Sequence, residues 1–159
     1  DALAIATMRQ RKFNKKDFKK IHPAGSLGVQ LKTVEDIMLK DNAIPFVNEN
    51  LKIKDALKVL SSKKLGFLLV RDKKKLTKGL LTDGDLRRFN QRNQNLHGIS
   101  IKKIMTKNPI GIDKNELAVK ALSLMNDKKI TSLCVYNKKN KFKTIGVLHI
   151  HNILQSNIS

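Results

Sequence analysis

With 159 residues and a single cysteine, the chain can hold one ordinary domain or two small ones sharing a core, and it cannot form an internal disulfide or a cysteine-rich metal site. Hydrophobic residues make up 40% of it with no Trp and one Tyr, so the core must be aliphatic, and no apolar run approaches the ~20 residues that span a bilayer. The net charge of +20 raises the question of a nucleic-acid partner, but Lys73 to Lys75, Lys138, Lys139, Lys141 and Lys143 fall in loops between paired strands, without interleaved aromatics or a helix-turn-helix pattern. These features predict a soluble, cytoplasmic protein with neither a membrane nor a nucleic-acid partner.

Residues 1–8 read as the middle of a helix with no cap before it, which leads us to expect a piece of a longer protein. A second helix is expected over 14–20, capped by Asn14, followed by a loop from Ile21 to Gly28 that holds two glycines and a proline. From Val34 to Leu39 the pattern predicts a short helical entry, and Ile44, Pro45, Phe46 and Val47 an extended piece in which Pro45 bars a central ladder position. Ile53, Ala56, Leu57 and Leu60 follow helical spacing. Strands are expected over 67–70 and 79–81, then a helix from Asp83 to Gln91.

A polar linker separates this unit from a second one of the same pattern. There a short helix is expected over 101–105, an extended piece at Gly111 and Ile112, a helix over 117–127 with Ala121, Leu124 and Met125 inward, strands over 132–136 and 144–149, and a helix to about Gln155. The two units are copies. Met38 and Met105 lie 67 residues apart, as do Gly79 and Gly146, while the helix and the first long strand match at an offset of 65. A tandem duplication explains this. Each copy reads as β-α-β-β-α, an α/β (α+β) unit too small to bury both faces of its own sheet, so the two should pack as one pseudo-symmetric body.

Each unit opens on an Ile-Met element and closes on Gly-x-Leu, a polar residue and a helix. In this the chain resembles a tandem pair of cystathionine β-synthase-type (CBS) domains. His22-Pro23-Ala24-Gly25-Ser26-Leu27-Gly28, Val34 to Met38, Thr82-Asp83-Gly84-Asp85-Leu86-Arg87-Arg88, Ile130-Thr131-Ser132 and Gly146 to His151 occur in this order in the C-terminal half of the arabinose-5-phosphate isomerase family. The resemblance implies that residues 1–30 are the end of a sugar isomerase (SIS) domain, 34–91 and 101–155 the two CBS domains, and 92–100 their linker. It further implies a parent enzyme that interconverts D-arabinose 5-phosphate and D-ribulose 5-phosphate for Kdo and lipopolysaccharide synthesis. This chain alone is expected to be inactive, to need no cofactor, and to associate with itself as a dimer, or as a tetramer in the parent; the alternative to a regulatory role is a structural module that only holds the parent together and binds no ligand.

The resemblance places His22 at the isomerase active site, where an imidazole suits proton transfer between adjacent carbons; the other groups of that site are not in this sequence. Thr82 and Asp85 match the Ser/Thr-x-x-Asp pattern of nucleotide-binding CBS domains, with Arg87 and Arg88 one turn later, and imply a nucleotide or nucleotide-sugar effector such as CMP-Kdo, AMP or ATP. The same residues read equally as a helix capping box. His149 and Asn152 take these places in the second copy, where Asn152 cannot supply a charged acceptor, so that cleft should bind something less like an adenosine phosphate, or nothing. No metal is expected. His149 and His151 read as a satisfied pair, and Cys134 as a small core residue.

Overall fold

The computed structural model describes residues 31–92 and 98–156; the helix expected over 14–20, the loop carrying His22 and residues 93–97 of the linker lie outside the described residues. The first repeat consists of α1 (Val34–Ile37), β1 (Leu39–Lys40), a 3-10 turn (Asp41–Ala43), β2 (Phe46–Asn48), α2 (Ile53–Lys63), β3 (Phe67–Arg71), β4 (Thr77–Thr82) and α3 (Asp83–Arg92). The second repeats this order: a 3-10 turn (Ile101–Lys103), β5 (Thr106–Lys107), β6 (Gly111–Asp113), α4 (Ala118–Lys128), β7 (Ser132–Asn137), β8 (Asn140–His149) and α5 (Ile150–Gln155).

The periodicities behave as their chemistry requires. Ile53, Ala56 and Leu60 bury one stripe of α2, and Ala118, Ala121 and Met125 the same stripe of α4. Both helices stop at a lysine in the left-handed region, Lys64 at φ 54° and Lys129 at φ 53°. Leu57, expected inward, lies at the margin of the stripe and is 38% exposed. Phe67, Leu68, Leu69 and Val70 are all buried, because β3 has protein on both faces.

Two four-stranded sheets result, in the orders β2-β3-β4-β5 and β1-β8-β7-β6. This extends the β-α-β-β-α reading. Strand β1 pairs antiparallel with β8, and β5 with β4, so each repeat adds its opening strand to the other's sheet. At two residues each, these strands are too short to show alternation, and the expected entry helix over 34–39 ends at Ile37 to make room for β1. The cores follow the exchange. Val34 belongs to the core of the second repeat, while Ile101 and Met105 belong to that of the first.

A third cluster joins the repeats: Ile44, Phe67 and Leu69 meet Cys134 and Val147 between the sheets. Next to it the Thr77 and Thr144 hydroxyls, at equivalent positions, share a hydrogen bond of 2.6 Å. The exchanged strands sit close against glycine. A Cβ on Gly79 would lie 2.5 Å from Met105 Sδ and 2.9 Å from the Thr106 carbonyl, and one on Gly146 would meet Met38 and the Leu39 carbonyl. The offset of 67 shared by these methionines and glycines is therefore one contact made twice.

Gly79→Ala or Gly146→Ala should thus cost about 1–3 kcal/mol by overpacking a site that backbone atoms close. Gly84→Ala, in α3 with nothing nearer than 3.4 Å, should be neutral or slightly stabilising. Urea denaturation of the three variants checks the order.

Candidate ligand-binding site

Strand β4 turns into α3 without a loop, and Thr82 at the junction caps the helix. Asp85 Oδ2 accepts from the Thr82 backbone N–H and hydroxyl, both at 2.8 Å, and the Asp85 N–H donates back to Thr82 Oγ1 at 3.1 Å. This is the capping box. The other carboxylate oxygen, Oδ1, pairs with the Arg88 guanidinium one turn on; the Asp85 side chain is 10% exposed and that of Arg88 is 62% exposed.

The same box occurs at Thr33 and Asp36, where the hydroxyl and N–H of Thr33 donate to Asp36 Oδ2 at 2.8 and 2.7 Å. The box at Thr82 and Asp85 stands at a cleft. Thr82, Gly84, Asp85 and Arg88 form one wall of a cleft of about 520 Å³. Gly66 and Phe67 adjoin them, and the opposite wall comes from the second repeat: Asn108, Pro109 and Ile110 before β6, Lys129 to Ser132 before β7, and His149 at the end of β8. The floor is apolar, with Leu65, Leu80, Ile110 and Ile130, and the polar groups converge on the start of α3. A pocket with few, placed polar groups on apolar walls suits an organic ligand that carries hydroxyls and charge.

Of the residues singled out from the sequence, Thr82, Asp85, Arg88 and His149 come together in this cleft. Arg87 is exposed on α3 outside it, and His22 lies outside the described residues. His149, expected in a cleft of its own with Asn152, lines a hollow with His151 and lines this cleft as well, because the sheets pack about a pseudo-twofold axis that brings both junctions to one side. Asn152 instead caps α5, its Oδ1 accepting from the His149 N–H at 3.0 Å. The strand does not continue past His149, yet the His149 and His151 rings still meet, stacked with centroids 4.8 Å apart. Ile130, Thr131 and Ser132 stand out in the sequence only as a motif, and Asn108, Pro109 and Ile110 do not; nothing in their residue types marks a ligand wall.

Burial, then the neighbouring His151, holds the His149 pKa below the ordinary histidine value. Its Nδ1 accepts from the His151 N–H at 3.2 Å, so the neutral ring carries its proton on Nε2. Cys134 is closed to chemistry, since burial pushes its thiol up to about 11. Among the described residues no group of three or more His, Cys, Asp or Glu is placed to hold a metal, and no helix is long and apolar enough to cross a membrane.

Two exchanged four-stranded sheets with a capped strand-to-helix junction in the cleft between them define a CBS pair. Residues 34–92 and 101–158 match the CBS domain, and the chain belongs to that family. It is 37% identical over 159 residues to arabinose 5-phosphate isomerase KdsD of Yersinia pestis, covering 99% of this chain and 48% of that protein. The KdsD of Escherichia coli K12 matches to the same extent. The chain thus spans about half the length of the curated relatives it matches and corresponds to their C-terminal CBS region. Among solved structures, CBSX2 in complex with AMP superposes with a TM-score of 0.70 at 26% identity, over 79% of this chain and 95% of that one. A CBS-domain protein of Agrobacterium tumefaciens does so with a TM-score of 0.72 at 20% identity, over 81% and 96%.

A folded-state pKa below the unfolded one means that the unfolded chain takes up a proton first as pH falls. The stability that neutral His149 contributes should therefore be complete above the ordinary histidine pKa of about 6.5 and be lost as pH drops from there toward the depressed value. Melting curves between pH 8 and 5 should fall less steeply for His149→Thr than for the wild type.

Proposed function

We propose that the chain is the regulatory part of an arabinose-5-phosphate isomerase and binds a nucleotide or nucleotide sugar in the cleft at Thr82 and Asp85. The observation that carries this reading is that the capping box of Thr82 and Asp85 stands in a cleft lined by both repeats, with Asp85 Oδ1 on Arg88 rather than on the cap. The identity to KdsD over nearly the whole chain supports the parent activity, the interconversion of D-arabinose 5-phosphate and D-ribulose 5-phosphate. In such a parent, His22 belongs to the isomerase half and the CBS pair has no turnover of its own. The AMP complex of CBSX2 supports an adenosine-type ligand, while CMP-Kdo, a later product of lipopolysaccharide synthesis, suits feedback on an early step.

The geometry suggests how occupancy is read out. Asp85 places Oδ2 on the cap, and among the described residues Oδ1 is held by the mostly exposed Arg88. Vicinal ribose hydroxyls would replace Arg88 at Oδ1, a charge-assisted pairing for the buried carboxylate. The freed guanidinium and the first amides of α3 would then meet the phosphate. Exposed Leu57 on α2 and Leu154 on α5 favour an additional role in self-association, to be read from sedimentation of Leu154→Glu against the wild type.

A ligand that binds only the folded chain stabilises it by mass action, by about 2.7 kcal/mol at a hundredfold excess over Kd. Of AMP, ATP, CMP and CMP-Kdo, at least one should raise the melting temperature of the wild type. Asp85→Asn should abolish that rise while costing the unliganded chain only about 1 kcal/mol, since the amide oxygen still accepts at the cap. An equal rise in both proteins would reject the site.

A further inference from the structure

The two strand-to-helix junctions are equivalent by descent but not in content. Aligned on the repeat offsets, Phe67, His149 and His151 of one correspond to Ser132, Thr82 and Gly84 of the other. The first set stacks as a ladder of rings. Phe67 and His149 lie 6.3 Å apart with planes 9° from parallel, and His149 and His151 lie 4.8 Å apart at 27°. The second set is small at every position, and there the structure opens into the cleft of about 520 Å³.

We propose that the ring ladder of Phe67, His149 and His151 closes the second junction to ligand, so that the chain takes one nucleotide-class ligand, at Thr82 and Asp85, and not two. This rests on the ligand-binding reading above. The charged groups differ as well. Asn152 stands where the first junction has Asp85, and Gln155 where it has Arg88, so neither the ribose-accepting carboxylate nor the guanidinium is repeated. Two acceptors at the second junction are also taken by its own backbone, Asn152 Oδ1 by the His149 N–H and His149 Nδ1 by the His151 N–H. Helix α5 runs for six residues against ten in α3, which leaves it a smaller dipole to offer a phosphate. The hollow that remains beside His149 and His151, about 440 Å³, does not reach Asn152. The second junction has become the fixed far wall of the first one's cleft, since His149 faces it from across the pseudo-axis.

Titration calorimetry with AMP, repeated with ATP, CMP and CMP-Kdo, tests this. One equivalent per chain is expected for the wild type, lost in Asp85→Asn and kept in Asn152→Ala. Two equivalents, or one that survives Asp85→Asn and is lost in Asn152→Ala, would overturn the inference and leave ligand binding by the chain intact. No heat and no thermal shift with any of the four would overturn both. The triple variant His149→Thr, His151→Gly, Asn152→Asp removes two rings and restores the carboxylate. It is expected to take two equivalents, and one equivalent in a cooperatively melting triple variant would reject the rings as the closing element.

Discussion

The exchange of opening strands between the repeats is the constraint on which the rest of the molecule depends. Met38 against Gly146 and Met105 against Gly79 are the same contact in two copies, and each can form only if one repeat reaches across into the other's sheet. Because Val34 is buried in one core and Ile101 with Met105 in the other, neither core is complete without the second repeat. A sheet of three short strands would expose an edge beside β4 or β8, and the borrowed strand covers it. The pseudo-twofold axis follows from this reciprocity. So does the cleft, since it lies where the two strand-to-helix junctions are brought face to face.

That dependence explains which parts of the fold were legible in the sequence. Helices α2 and α4 announced themselves through a stripe of three buried residues at helical spacing, and β3 and β7 through apolar runs that fill both faces of a sheet. The duplication was visible in the offsets of 67 and 65, whose difference reflects the 3-10 turn Asp41–Ala43 in the first repeat, where the second goes from Asn108 to β6 more directly. The exchange itself was not visible. A two-residue strand has no period, and its partner was chosen by packing against a glycine of the other repeat rather than by anything local. The methionine and glycine offsets held the clue, but only the fold shows that each methionine belongs with the other repeat's glycine.

The site was legible as chemistry and not as place. Thr33 to Asp36 and Thr82 to Asp85 carry the same residue types at the same spacing and make the same hydrogen bonds, so no local argument separates a cap from a cap that also serves a ligand. The distinction comes from residues remote in sequence, Asn108 to Ile110 and Lys129 to Ser132, which are unremarkable until the second repeat is laid across the first. His149 shows the opposite case. Its type marked it for attention, but its neighbours in the chain assigned it to a cleft of its own, and only the axis reveals that it also walls the cleft of Thr82.

A duplicated junction need not keep two copies of one function, because the two copies feel different demands once they face each other. A ligand held at Thr82 and Asp85 gains from a rigid opposite wall, since ordering a mobile one on binding would subtract from affinity. Three stacked rings, with His149 Nδ1 held by the His151 N–H, supply such a wall at little entropic cost to the complex. Two of these rings, His149 and His151, line the hollow in which a second ligand would sit, and Asn152 lies outside that hollow. Asn152 fits that arrangement, since an uncharged amide caps α5 without placing a carboxylate at a partly apolar junction.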